Sequence, residues 1–336
     1  MKRILPIILI LITLSGCAIG ASTYTESFFA MDTYMTITVN GKDAENAVKS
    51  AETEIKRLDK KLSAHNKESE IYKLNENGSA ELSEDSADLI KKSLGYYKLT
   101  GGAFNFAMLD VTRLWGFPDK NYRVPEKSEL EKALKTAKPN KVKVNGKKVT
   151  LGLKGMSLDL GAVAKGYTSQ KITDNLKKRG IDSALLNLGG NVQVLGTKPD
   201  GSLWTVAVEN PDKDKEYLGT LKIKDKAVVT SGGYERCFKK NGKTYHHILN
   251  PENGYPAESG LVSATAVCEN GALADALSTA LFVMGKGKAE RFWADSKESF
   301  DIILYTDKKE LIISERLESG FSSDMKYRVI KRSDYE

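Results

Sequence analysis

The sequence is poor in proline, cysteine and histidine, and after its first residues it has no long apolar run. Its 8 prolines are scattered, and no Pro- or Ser-rich linker cuts the 336 residues in two. Of the 3 cysteines, Cys237 and Cys268 would need the fold to bring them together before they paired. Neither has a companion at metal-ligand spacing, and both read as small apolar residues. Three histidines without matching Cys or Glu spacing leave no zinc site. Zinc-finger, helix-turn-helix and aromatic-basic RNA signatures are also missing, which argues against nucleic acid as the partner of a chain with net charge +7. That modest surplus suits an anionic ligand or a membrane surface.

What the chain does have begins at its amino end. Lys2 and Arg3 precede an apolar run from Ile4 to Leu14, followed by Leu14-Ser15-Gly16-Cys17. A basic start, a short apolar run and small residues describe a secretory signal, and the run falls short of the roughly 20 residues a membrane span needs. Cysteine directly after Leu-Ser-Gly is similar to a bacterial lipobox, so residues 1–16 are expected to be removed and Cys17 to carry lipid. Residues 17–27 then form a tether, and 28–336 the folded domain.

Within that domain, 40% hydrophobic and 28% charged residues give an ordinary globular balance with material for a sizeable core. Alternation predicts a strand over Phe28–Asn40. Ala47, Ala51, Ile55, Leu58 and Leu62 form one stripe of a helix over Lys42–Lys61. Helices are also predicted over Ser86–Leu99, Lys127–Thr136, Gly166–Arg179 and Ala272–Met284, the last two stopped by Gly180 and Gly285. Asn145-Gly146 marks a hairpin turn. Strands are predicted at Ser157–Leu160, Ser183–Leu188, Val192–Leu195, Leu203–Glu209, Leu221–Ile223, Ala227–Thr230, Phe300–Tyr305 and Leu311–Ser314. Strands and helices mix without regular alternation, which predicts an α+β fold with a largely antiparallel core.

Three segments carry chemistry. In Asp159-Leu160-Gly161-Ala162-Val163-Ala164-Lys165-Gly166 a carboxylate precedes a small-residue turn that opens a helix bearing a lysine. Small residues let backbone approach a ligand, helix starts offer N–H groups to anions, and the lysine supplies a point charge. Read alone, the segment equally fits a tight strand-helix turn with a surface ion pair. Asp275 is the only charge in the helix over Gly271–Met284, with Thr279 on the same face one turn later. Buried carboxylates are costly unless paired or metal-bound, and carboxylate with hydroxyl suits magnesium; a place on one wet edge of the helix is the alternative. Thr230-Ser231-Gly232-Gly233-Tyr234-Glu235-Arg236 and the run from Tyr245 to Gly254 contain His246 and His247, either of which can accept a proton from a hydroxyl or be a polar turn residue. Ser231 lacks a nucleophile-elbow pattern. Gly101–Asn105 and Asn187–Asn191 read as ligand walls or ordinary turns.

The order of these segments resembles the ApbE family. The matching stretches are Met31-Asp32-Thr33, Gly102-Ala103-Phe104-Asn105, the Asp159–Gly166 run, Asn187-Leu188-Gly189-Gly190-Asn191, Thr230–Arg236, His247-Ile248-Leu249-Asn250-Pro251 with Gly254, and Ala274-Asp275-Ala276-Leu277-Ser278-Thr279. The resemblance spans about Phe28 to Gly285. It implies a T-fold-like domain that binds FAD and, with Mg2+, moves FMN from FAD onto a Thr or Ser of an acceptor flavoprotein, releasing AMP. By the same resemblance Asp159 and Lys165 contact FAD. The Ala162 carbonyl, Asp275 and Thr279 hold magnesium, and Met31, His65, Ala103, Phe104 and Asn105 line the flavin pocket. His247 is the catalytic histidine, and the protein sits lipid-anchored outside the bacterial cytoplasm. An FAD pyrophosphatase and a non-catalytic FAD-binding lipoprotein are the alternatives. Three positions depart from the family pattern: Asp32 replaces a glycine, His65 a tyrosine and Asn105 an aspartate.

Overall fold

The computed structural model describes residues 22–212 and 216–336; Cys17 and the segment expected to be cleaved lie outside the described residues. The chain opens with the hairpin β1 (Thr23–Ala30) and β2 (Thr33–Asn40), then α1 (Ala44–Leu62), α2 (Glu70–Asn77), β3 (Ser79–Glu81), α3 (Glu84–Leu99), α4 (Leu109–Trp115) and α5 (Lys127–Leu134). A small hairpin, β4 (Lys143–Asn145) and β5 (Lys148–Thr150), turns at the predicted Asn145-Gly146. Next come α6 (Gly161–Lys178), β6 (Ser183–Leu188), β7 (Asn191–Leu195), β8 (Trp204–Glu209), β9 (Tyr217–Ile223) and β10 (Ala227–Gly232). The hairpin β11 (Cys237–Lys240) and β12 (Lys243–His246) precedes β13 (Leu261–Cys268), α7 (Gly271–Met284), α8 (Lys286–Asp295), β14 (Asp301–Thr306), β15 (Leu311–Ser314), β16 (Phe321–Ser322) and β17 (Tyr327–Ile330).

Nine strands form one sheet in the order β1-β2-β6-β7-β10-β13-β14-β15-β17. Every neighbouring pair is antiparallel except β15 with β17. The mixed fold with a largely antiparallel core is therefore as the sequence predicts. On one face α7 packs through Leu273, Leu277 and Leu281 against β13 and β14, and α1 with α6 covers Ile37, Val39 and Leu186 of β2 and β6. The other face is closed by the small sheet β16-β9-β8, whose Val206, Val208 and Leu221 meet Val228, Val267 and Ile303. Burial of a large aliphatic side chain contributes about 1.5–3 kcal/mol, so these two apolar layers fix the frame on which the site is built.

Four details differ from the sequence reading. Phe28–Asn40 is not one strand: Ala30 pairs with Thr33 across a two-residue turn, and Met31 and Asp32 both take positive φ, 48° and 59°. That is the twist a type I′ hairpin requires, built here without the usual Asn-Gly. Thr23–Ser27, read as tether, lie in β1. Ser157–Leu160 joins no sheet, because the Asn75 side chain stands in for a neighbouring strand: its amide donates to the Leu158 carbonyl at 2.9 Å and its Oδ1 accepts from Leu158 N–H at 2.8 Å. Finally, α6 starts at Gly161, not Gly166. Gly166 is an interior contact, since a Cβ there would lie 2.1 Å from the Gly271 carbonyl oxygen of α7.

Candidate active site

That contact organises the centre of the molecule. The first turns of α6 and α7 cross at Gly166 and Gly271, and the crossing buries Asp275 to 5% exposure. The N-terminus of α7 is fixed by Asn270, whose Oδ1 accepts the Leu273 N–H at 3.0 Å. Asp275 Oδ2 accepts from the Gly166 N–H at 2.8 Å. In a regular helix that N–H belongs to the Ala162 carbonyl four residues earlier, so the carboxylate is brought beside the backbone of Ala162. Burial pushes the Asp275 carboxyl above the usual carboxylate range, while Lys165 and the Gly166 N–H pull the other way. One turn along α7, Thr279 Oγ1 lies 3.3 Å from Ser231 Oγ, which also bonds Ser278 Oγ at 2.8 Å. Ser231 thus belongs to a hydroxyl cluster with Ser278 and Thr279, and among the described residues its hydroxyl bonds no base.

Asp159 precedes α6 and accepts the Gly161 N–H on Oδ1 at 2.8 Å, while its own N–H bonds the Phe106 carbonyl at 2.8 Å. The small-residue turn is therefore held from both sides, with Lys165 half-buried one turn into the helix. Met31 reaches the same helix from the strained hairpin turn: Thr168 Oγ1 points at its sulfur from 3.9 Å, and its N–H is taken by Asp59.

The two histidines separate clearly. His246 packs edge-on against Phe282 of α7, with ring centroids 5.4 Å apart, and against Gly233. His247 turns the other way. Its N–H donates to the Arg236 carbonyl at 3.1 Å, and Nδ1 lies 3.2 Å from the same oxygen. A carbonyl only accepts, so Nδ1 carries the proton and Nε2 keeps its lone pair. Burial first, then the Arg236 charge and to a lesser extent His246 and Lys165, push the His247 imidazole down to about 4, against the bond to the Arg236 carbonyl, which favours the protonated ring. His247 is therefore neutral at ordinary pH, and it shares one electrostatic environment with Lys165 and, through Lys165, with Asp275.

The remaining predicted residues divide. Ala103 is partly buried against the core that holds the first turn of α6. The Phe104 ring is only 1% exposed and packs between Tyr96 and Phe106, so it braces the loop from the core instead of presenting a face to a ligand. Asn105 spends its amide on the Ala137 carbonyl and its Oδ1 on the Ala107 N–H, which shapes the loop. His65 is exposed just beyond α1. Cys237 is exposed, Cys268 is buried, and both are free thiols.

Sequence reasoning gave no role to Glu235 and Arg236. Glu235 is exposed, yet the protein crowding it raises its carboxyl; Lys165 and Arg236 oppose that rise, and Glu209 and Asp275 add to it. Arg236 is exposed beside His247 and forms no ion pair among the described residues. The hairpin that follows was also missed, although Asn241-Gly242 is the same turn signal that was read at Asn145-Gly146.

A crossing of two helices over a buried carboxylate, flanked by a lysine and a neutral imidazole, defines a site for an anionic substrate handled with proton transfer. Comparison with known proteins gives the class. The model of the ApbE family matches residues 31–304, and the chain belongs to that family. A protein of Klebsiella pneumoniae (strain 342) called "FAD:protein FMN transferase" is 33% identical over 285 residues, covering 82% of this chain and 87% of its own. One of the same name from Treponema pallidum (strain Nichols) is 33% identical over 267 residues, 74% of each chain. The crystal structure of the ApbE protein from Thermotoga maritima superposes with a TM-score of 0.82 at 31% identity, covering 89% of this chain and 99% of that one.

Proposed function

We propose that the chain is a magnesium-dependent FAD:protein FMN transferase that attaches FMN to a Thr or Ser of an acceptor protein. Membership of a family whose similar relatives carry that name supports the reading. The single observation that carries the chemistry is the neutral His247, with Nδ1 bound to a carbonyl and Nε2 open, in the same charged cleft as Lys165.

The metal assignment rests on the donor set. Asp275 is a buried carboxylate whose carboxyl stays raised even though the Lys165 charge, the Gly166 N–H and the Asn191 side chain all favour its charged form, so the compensation for a buried charge is partial. Carboxylate, threonine hydroxyl and backbone carbonyl are the hard oxygen donors magnesium takes, so Asp275, Thr279 and the Ala162 carbonyl would hold it. When bound, magnesium supplies charge neutralisation on the diphosphate oxygens.

The chain's own residues do the rest. Lys165 binds the diphosphate and stabilises charge as it develops. The acceptor hydroxyl attacks the FMN-side phosphorus and its proton passes to His247 Nε2. One bond forms between that oxygen and phosphorus, and the bond from the same phosphorus to the bridging oxygen breaks. AMP leaves with the electron pair. The loose transition state of phosphoryl transfer asks mainly for positioning and electrostatics. The signal at Leu14–Cys17 adds the proposal that this happens outside the cytoplasm, on a lipid-anchored protein.

The test incubates the protein with FAD, magnesium and a threonine-bearing acceptor flavoprotein, and follows AMP and acceptor mass together. AMP with an FMN-sized gain on the acceptor is the expected result. AMP and free FMN with the acceptor unmodified would make the protein a pyrophosphatase, and intact FAD would make it a carrier.

A further inference from the structure

The hairpin β11–β12 belongs to no larger sheet. It closes through Asn241 and Gly242, both at positive φ (51° and 76°), with Lys240 opposite Lys243. Its other end runs into the site, because β12 continues directly into His247 and β11 begins directly after Arg236. The His247 N–H bond to Arg236 fixes which backbone groups face inward. Inward-bonded pairs alternate along an antiparallel ladder, so Arg236 with His247, Phe238 with Tyr245 and Lys240 with Lys243 point their N–H and C=O groups at each other. Cys237 and Lys239 therefore direct theirs away from β12, along an edge that no described strand covers.

The hairpin is held firmly enough to serve as a template. Phe238 stacks on Tyr245 at 5.3 Å and on Tyr122 at 4.9 Å, and Tyr245 lies 5.3 Å from the fully buried Trp115. The charge along it is of one sign. Lys243 pairs with Glu258, while Lys239 and Lys240 are exposed and form no ion pair among the described residues.

Resting on the transferase reading, we infer that the outer edge of β11 is where the acceptor docks: its target segment adds as an extended strand alongside Cys237–Lys240. Strand addition takes affinity from main-chain hydrogen bonds and register from the pleat. An added strand lies about 4.8 Å from β11 and about twice that from β12, so the target hydroxyl reaches His247 from residues that run on past Arg236, beyond the paired stretch. The His247 ring leans toward β11, since its Nδ1 sits on the Arg236 carbonyl. Lys239 and Lys240 select a segment with acidic residues beside the target hydroxyl, which gives the encounter a salt dependence.

Two variants of the full protein test this. Lys239→Pro removes an outward N–H without touching the β11–β12 bonds, a change edge strands tolerate. Lys239→Glu with Lys240→Glu reverses the charge. With wild-type flavinylation of the acceptor as reference, each is expected to raise the KM for acceptor about tenfold, roughly the loss of 1.4 kcal/mol in binding. The kcat, the KM for FAD and the melting temperature should stay near wild type. Added salt should raise the wild-type KM and lower that of the charge-reversed variant, whose repulsion of the acidic segment it screens. Acceptor KM values within about twofold of wild type in both variants would overturn the inference while leaving the transferase reading intact. So would unchanged flavinylation with lost adsorption to vesicles of anionic phospholipid, which would make the hairpin a membrane contact. A wild-type protein that never modifies the acceptor would instead sink the transferase reading.

Discussion

Gly166 gives its backbone N–H to Asp275 at 2.8 Å, and a Cβ on Gly166 would stand 2.6 Å from that of Asp275. The absence of a side chain at one residue is thus a condition for the position of the other. Gly166→Ala should part α6 from α7 and destabilise by about 1–3 kcal/mol, the usual range for overpacking. It should also weaken magnesium binding, although residue 166 touches no substrate. Thermal melts with and without magnesium check both effects; a variant that melts and responds to magnesium like wild type would refute the coupling.

Asp275→Asn separates charge from shape. The raised carboxyl means that the folded state holds its proton more tightly than the unfolded chain, so this group costs stability as pH rises above the unfolded carboxylate range. The amide keeps an acceptor for Gly166 and removes the charge. We expect the metal-free variant to melt at or above the wild-type temperature at neutral pH. The magnesium-induced rise in melting temperature, and turnover, should be gone. A variant that still responds to magnesium would remove Asp275 from the metal site.

His247→Asn should keep FAD affinity and lose transfer by roughly 10²–10⁴-fold, the span typical of a general base. Its imidazole is depressed to about 4, below the unfolded value of 6.5. Protons then bind the unfolded chain preferentially between those values, and the folded protein loses stability as pH falls from 6.5 toward 4. The Asn variant should show a shallower acid decline in melting temperature. In the wild type the acid limb of kcat/KM should lie below that of an ordinary histidine.

Asp32→Gly tests the strained turn. Asp32 sits at φ 59°, in the left-handed region that favours glycine. Left-handed backbone costs an L-residue about 1–2 kcal/mol, less for Asp, whose side chain bonds locally. Relief of about 0.5–1 kcal/mol is expected, read as a higher denaturation midpoint with the slope unchanged.

These positions also mark how far the sequence could be read. Stop signals are local, so the end of α7 at Gly285 was visible in the sequence, while its start, capped by Asn270, went unread. Asp275, alone among apolar residues, was equally plain. The turn at Met31-Asp32 was hidden because Met disfavours positive φ and Asp is not followed by the glycine that usually marks such a turn. Gly166 reads in one dimension as a helix start, and only the approach of α7 makes it a contact. The Ser157–Leu160 segment was mistaken for a strand because an asparagine 83 residues away supplies its partner. Arg236 could be placed only once the chain reversal at Asn241-Gly242 set it against His247.

The helix crossing has a last consequence, for how such a protein can fail. Gly271, like Gly166, admits no side chain, since a Cβ would meet Gln193 Oε1 at 2.4 Å and the Gly166 carbonyl at 2.7 Å. Two achiral residues therefore act as the spacer between the helix that offers the lysine and the helix that offers the carboxylate. Inactivating lesions in a population of such genes should gather at these glycines as readily as at the residues that touch substrate.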